Sequence, residues 1–157
     1  MSDLAVSEIT PITRRSTPQS TPQSAGRILI IDDEAEIRES LETLLQLEGY
    51  TVVVAGSGRE GLAQIGQRAF DVVLLDLALP DKNGMDVLSE IRLLYPQQGV
   101  IMITAYGTVE NAVRAMQSGA TNFIQKPWDN EKLLAYGPVI TSLMRSAADL
   151  AESTDYQ

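Results

Sequence analysis

The chain contains no cysteine and no histidine. Without thiols it can form neither disulfides nor thiolate metal sites. The missing imidazole removes Ser–His and Cys–His nucleophile pairs, His-ligated zinc and the usual general base near neutral pH. Chemistry at pH 7 is left to carboxylates, lysine, hydroxyls and a hard cation. Positive charge is also scarce, with 12 basic residues against 21 acidic ones, a net charge of −9 and a pI near 4.4. That balance argues against a nucleic-acid surface. No apolar run approaches the roughly 20 residues of a membrane span. The start, Met1-Ser2-Asp3-Leu4-Ala5, lacks the basic and apolar stretches of a secretory signal. A soluble cytoplasmic protein with no membrane partner is the expectation.

At 157 residues, 44 % of them hydrophobic and 21 % charged, the chain suits one ordinary domain with a real core. Residues 1–26 stand apart. They are rich in Ser, Thr, Pro and Gln and carry a tandem repeat, Thr17-Pro18-Gln19-Ser20 and Thr21-Pro22-Gln23-Ser24. Such a segment cannot bury enough apolar surface to offset its ordering entropy, so a disordered tail is expected there. From Arg27 onward, strand-length apolar runs appear at Arg27–Asp32, Thr51–Ala55, Asp71–Asp76, Val100–Thr104 and Asn122–Gln125. They are β-branched and show little polar alternation, which predicts a parallel sheet covered on both faces. Helical periodicity fills the gaps. Ile37, Leu41, Leu44 and Leu45 form one stripe, Leu62 with Ile65 and Val87, Leu88 with Ile91 mark two shorter helices, and Val109, Ala112, Val113 and Met116 form another stripe. The βα alternation with right-handed crossovers predicts a doubly wound, three-layer α/β domain over 27–136.

All strands of a parallel sheet point the same way, so their C-terminal ends share one edge, where open α/β sheets bind ligands. Those ends read Asp32-Asp33, Ala55, Asp76, Thr104 and Lys126. Each residue has an ordinary explanation by itself. Asp33 with Glu36 resembles a helix capping box, Asp76 suits a turn, Thr104 could open a loop, and Lys126 could reach solvent along its aliphatic stem. Four such coincidences at four strand ends are harder to accept than one site. Two carboxylates about 5 Å apart repel by roughly 3 kcal/mol at an effective dielectric near 20. A lysine or a hard divalent cation is needed to hold three together, and Mg²⁺ also contacts phosphate oxygens. The combination suits phosphoryl transfer to a carboxylate, with Lys and Thr holding the remaining oxygens.

Five segments carry a resemblance: Leu29-Ile30-Ile31-Asp32-Asp33-Glu34, Val73-Leu74-Leu75-Asp76-Leu77, Leu79-Pro80 with Gly84, Met102-Ile103-Thr104-Ala105, and Lys126-Pro127. Together they resemble the signature of response-regulator receiver domains of bacterial two-component signalling, from about Arg27 to Ala135. The runs Thr104–Thr108 and Phe123–Trp128 are similar to receivers that precede enhancer-binding ATPase activators. The resemblance implies a flavodoxin-like five-stranded sheet in the order 2-1-3-4-5. It implies Asp76 as phosphoacceptor and Mg²⁺ as cofactor. Asp33 and Asp76 would be carboxylate ligands, Asp32 would assist, and the Ala78 carbonyl would add another ligand. Thr104 and Lys126 would contact the phosphoryl group, Phe123 would be a switch aromatic coupled to Thr104, and the Lys126–Pro127 bond would be cis. A histidine kinase or histidine phosphotransfer protein would donate the phosphoryl group, because a chain without histidine cannot supply its own phosphohistidine.

A signalling switch that regulates a partner or output domain, rather than a turnover enzyme, is the expected role. One alternative is a Mg²⁺-dependent phosphatase with an aspartate nucleophile. It would need a second acid near Asp76 to protonate the leaving group, and Leu77 and Ala78 stand there instead. A degenerate, docking-only receiver is the other alternative, and the complete set of Asp, Thr and Lys disfavours it. No Gly-Lys-Ser/Thr phosphate loop is present, so the chain is read as a single-domain regulator or a fragment of a longer one. Over 137–157, Gly137-Pro138 should interrupt a fifth helix. A stripe from Ile140 through Leu143, Met144 and Ala147 to Leu150 and Ala151 then suggests either a kinked fifth helix or an additional one, which could support a homodimer.

Overall fold

A computed structural model describes residues 26–105, 107–126 and 142. The expected N-terminal tail before Gly26, the Lys126–Pro127 bond and, apart from the helical Ser142, the helix expected after Gly137 lie outside the described residues. Among the residues described from 26 to 126, five strands alternate with four helices: β1 (Arg27–Ile31), α1 (Ala35–Leu47), β2 (Thr51–Ala55), α2 (Gly58–Gln67), β3 (Val72–Leu75), α3 (Gly84–Leu94), β4 (Gly99–Thr104), α4 (Val109–Gln117) and β5 (Asn122–Gln125). The strands form one parallel sheet in the order β2-β1-β3-β4-β5. This is the doubly wound order that the resemblance implies.

Because each strand sends alternate side chains to opposite faces, the sheet separates two cores. On one face Ile28, Ile30, Val72, Leu74, Ile101 and Ile103 meet Leu41, Leu44 and Leu45 of α1. On the other, Leu29, Ile31, Val73, Leu75, Val100 and Met102 meet Ile65 of α2, Val87, Leu88 and Ile91 of α3, and Ala115 of α4. The layers are therefore αβα, as the alternation predicts. Burial through the whole strand holds for β3 and β4, and for β1 after its first residue. The edge strands β2 and β5 are only half-buried over most of their length, because each has a neighbour on one side alone.

Helix ends follow local chemistry. Ser57, Asn83 and Thr108 each accept a backbone N–H of the first turn of α2, α3 and α4. The capping box that would have been the ordinary explanation of Asp33 and Glu36 does not form. Glu34 is the N-cap of α1 and makes no side-chain cap bond, while Asp32 Oδ1 accepts the Glu34 N–H at 2.9 Å. The α4 stripe is also corrected. Val109 is 81 % exposed, Val113 47 % and Met116 49 %, whereas Ala115 is fully buried. The apolar spacing locates the helix but marks its outer face, since the small Ala115 is what packs on the sheet.

Candidate functional site

Backbone pairing aims the chemistry at one edge. Just past β1 the Asp32 N–H donates to the Ala55 carbonyl at 3.0 Å, and just past β3 the Asp76 N–H donates to the Ile31 carbonyl at 2.9 Å. The Lys126 N–H donates to the Thr104 carbonyl at 2.7 Å, which fixes the end of β5 against the end of β4. Each polar residue is thus the first position beyond, or the last position of, a strand already held by its neighbour. Asp32, Asp76, Thr104 and Lys126 are all buried. Asp33, one residue further on, is exposed.

The Lys126 ammonium is shared. Its Nζ lies 2.5 Å from Asp32 Oδ2, 3.2 Å from Asp76 Oδ2 and 3.0 Å from Glu34 Oε1. Asp32, Asp33 and Asp76 can each present an oxygen within 4.8 Å of the others. A cavity of about 250 Å³ opens over them, lined by Asp33, Glu34, Asp76, Ala78, Ala105 and Lys126. All the metal and phosphoryl candidates except Thr104 and Asp32 therefore border this opening, and Thr104, the last residue of β4, is fully buried. The switch candidate Phe123 is farther away. It is partly buried against the core and paired in register with Met102. Glu34 is the participant that sequence spacing does not single out, because its partner Lys126 lies 92 residues along the chain.

Negative charge exceeds positive charge here, and the titration follows. Burial, then the nearby Asp32 charge, pushes the Asp76 carboxyl up to about 6, against the opposing pull of Lys126. Burial also raises Asp32. Burial alone would lower Lys126, but the hydrogen bond and charge of Asp32 and the charge of Asp76 outweigh it and raise the ammonium. A carboxyl with a raised folded pKa stabilises the fold below its unfolded value near 4, and this is lost as pH rises through about 6. A rise of about two units corresponds to about 3 kcal/mol. In metal-free buffer Asp76→Asn, which mimics the neutral acid, is thus expected to be more stable than the parent by up to about 3 kcal/mol at pH 8. The gap should close below pH 4, as followed by urea unfolding.

The arrangement is an oxygen-rich pocket with one buried carboxylate as potential nucleophile and one ammonium beside it. The three carboxylates exceed the charge of that lysine, and the cavity beside them leaves room. Both features fit a hard divalent cation.

This architecture places the molecule among doubly wound proteins with an acidic site at the carboxyl ends of the strands. Residues 28–136 match the response regulator receiver domain family, and the chain belongs to it. It is 38 % identical over 115 residues to the alginate biosynthesis transcriptional regulatory protein AlgB of Pseudomonas aeruginosa, covering 73 % of this chain and 26 % of that one. It is 40 % identical over 108 residues to the transcriptional regulatory protein ZraR of Escherichia coli, covering 69 % of this chain and 24 % of that one. The chain thus spans about a quarter of these curated relatives. Among solved structures, a CheY-like receiver domain protein from Methanospirillum hungatei superposes with a TM-score of 0.70 at 36 % identity, over 80 % of this chain and 98 % of that one. NtrX from Brucella abortus gives 0.72 at 32 % identity, over 85 % and 30 %. The chain is therefore a receiver domain of the two-component response-regulator type, with the general phosphoryl-acceptor signalling role of that family.

Proposed function

We propose that Asp76 accepts a phosphoryl group from a histidine kinase or histidine phosphotransfer protein, and that the aspartyl phosphate shifts a conformational equilibrium read by a partner or output domain. The observation that carries this reading is the buried Asp76 carboxylate, 3.2 Å from the Lys126 ammonium at the floor of an open acidic cavity. An Asp76 oxygen attacks phosphorus as the bond to the donor breaks, and the donor keeps the electron pair. Lys126 follows the transferred group with a charge-assisted contact, and the Thr104 hydroxyl holds another phosphoryl oxygen. Asp33, Asp76 and the Ala78 carbonyl would hold Mg²⁺, with Asp32 assisting. When bound, the ion offsets the charge shared by carboxylate and phosphoryl oxygens. Coupling from Thr104 to Phe123 through the adjacent ends of β4 and β5 would carry the change outward. The cytoplasm is the compartment this role requires. The likeness to AlgB and ZraR favours a transcriptional regulator as the longer context, and the exposed α4 face and the segment beyond Gly137 are where self-association would be sought. A turnover phosphatase is less well supported, because the exposed residue two positions after Asp76 is Ala78, which cannot protonate a leaving group.

Acetyl phosphate with Mg²⁺ is expected to add one phosphoryl group, labile to hydroxylamine as an acyl phosphate. Asp33→Ala should weaken Mg²⁺ binding and slow the labelling. Thr104→Ala should still be labelled but should lose the phosphorylation-induced amide shifts around Phe123. Identical shifts in that variant and the parent would refute the coupling, and hydroxylamine-resistant labelling would refute the acyl phosphate.

A further inference from the structure

The loop between β3 and α3 carries both Asp76 and Ala78, and its base is closed by its own backbone. Ala78 bridges to Asn83, and the Gly84 N–H donates to the Leu77 carbonyl at 2.8 Å. The tip, Leu79 to Lys82, stands outside those bonds, and Pro80 has no N–H to contribute. Asp81 carries hydrogen bonds from the tip to another element. The Asp81 carboxylate accepts the Gly58 N–H at 2.9 Å through Oδ1 and the Arg59 N–H at 3.0 Å through Oδ2.

Those two amides are the first of α2, and the third, Glu60 N–H, goes to Ser57 Oγ at 3.1 Å. An isolated helix start commonly relies on its own N-cap and on water. Here two of the first three donors are taken by a residue 22 and 23 positions away. The amides of Arg59 and Gly58 hold the Asp81 carboxyl below the usual carboxylate range, so it stays charged at the positive end of the helix dipole.

The anchor itself is rigid. A Cβ on Gly61 would overlap Ile31, so α2 lies directly on the last residue of β1, next to Asp32. A Cβ on Gly58 would come within 2.9 Å of Val87 Cγ2 and 3.2 Å of Lys82 Cβ, so the start of α2 is also packed on α3 and the loop tip. An ion pair between Lys82 and Glu90 ties the tip to α3. The tip is therefore suspended between two helices, and Asp81 is its charged link to the first.

We propose that Asp81 is a positioning residue, whose bidentate contact with the start of α2 fixes the phosphoacceptor loop and thereby the Ala78 carbonyl. The consequence rests on the functional reading above, since the Ala78 carbonyl matters only if Mg²⁺ binds beside Asp76. Residues that support a metal ligand from behind affect affinity about 10- to 100-fold, and a link at the loop tip should fall at the lower end.

The test uses the full chain as parent, Asp81→Ala, Asp81→Asn and Ser57→Ala. Ser57→Ala removes a cap from the same helix end but leaves the loop attached. Mg²⁺ titration followed by amide shifts should show about tenfold weaker binding in Asp81→Ala. Amide exchange at Gly84 in metal-free protein should be about tenfold faster in that variant. Asp81→Asn, which keeps one acceptor oxygen, should fall between it and the parent, and Ser57→Ala should match the parent in both readouts. The proposal is overturned if Asp81→Ala matches the parent in both, or if Ser57→Ala weakens Mg²⁺ binding equally, since fraying of α2 would then suffice. If Asp81→Ala does not fold, Asp81→Asn decides, and parent-like behaviour overturns the proposal. A parent that binds no Mg²⁺ refutes the functional reading instead, and Gly84 exchange still judges the tether.

Discussion

Lys126→Ala is expected to destabilise the metal-free protein by about 3–5 kcal/mol at pH 8, the usual cost of removing one partner from a buried charge pair. Lys126 is 8 % exposed, and its ammonium is shared by Asp32, Asp76 and Glu34. Without it, two buried carboxylates face each other with no counter-charge from β5. Protonation relieves that repulsion, and Asp76 already takes up a proton near pH 6. The deficit should therefore shrink on acidification from pH 8 to 5, the opposite of ordinary acid weakening. Mg²⁺ at pH 8 should recover part of it. Urea midpoints unchanged at both pH values would show that the lysine does not hold the carboxylates together. Labelling by acetyl phosphate should also slow, because the transferred group loses a charge-assisted contact.

Gly84→Ala should be nearly as damaging, for a steric reason. A Cβ there would run into the Asp76 carbonyl oxygen and lie 2.6 Å from Leu77 Cα and 2.9 Å from the Leu77 carbonyl oxygen. All three are backbone, so no side chain can turn aside. Either α3 retreats or the backbone at Asp76 moves, and the Gly84 N–H bond to Leu77 is strained in both cases. A cost of about 3 kcal/mol is expected, at the upper end for overpacking. Misplacing a reacting group by about 1 Å can cost about 100-fold in rate, so phosphorylation should suffer beyond the loss of stability. Wild-type rates from a folded Gly84→Ala protein would show that the loop absorbs the methyl group away from Asp76.

Much of the site was legible in the sequence because a parallel sheet turns strand ends into neighbours. Asp32, Asp76, Thr104 and Lys126 lie far apart in the chain, yet each closes an apolar run, and parallel pairing then brings them to one edge. The same reasoning fails where a partner is set by a loop. The Lys126 contact of Glu34 and the Asp81 link to α2 depend on where side chains reach across 92 and 22 positions. No periodicity encodes that reach. The α4 stripe fails differently. Val109, Val113 and Met116 share a helix face, but spacing alone cannot say whether that face meets the sheet. The need for close approach put Ala115 inward and left the larger residues exposed. The edge strands show a related gap, since the runs of β2 and β5 give no sign that each has a single neighbour.

The measurement closest to the central claim is chemical mapping of the phosphorylated residue. The full chain would be labelled with acetyl phosphate and Mg²⁺, then reduced with borohydride, which converts an aspartyl phosphate to homoserine. Peptide mass spectrometry should place the homoserine at position 76, and Asp76→Asn should yield none at any position. Homoserine at Asp32 or Asp33, or equal labelling of the Asp76→Asn protein, would contradict the assignment of Asp76 as phosphoacceptor.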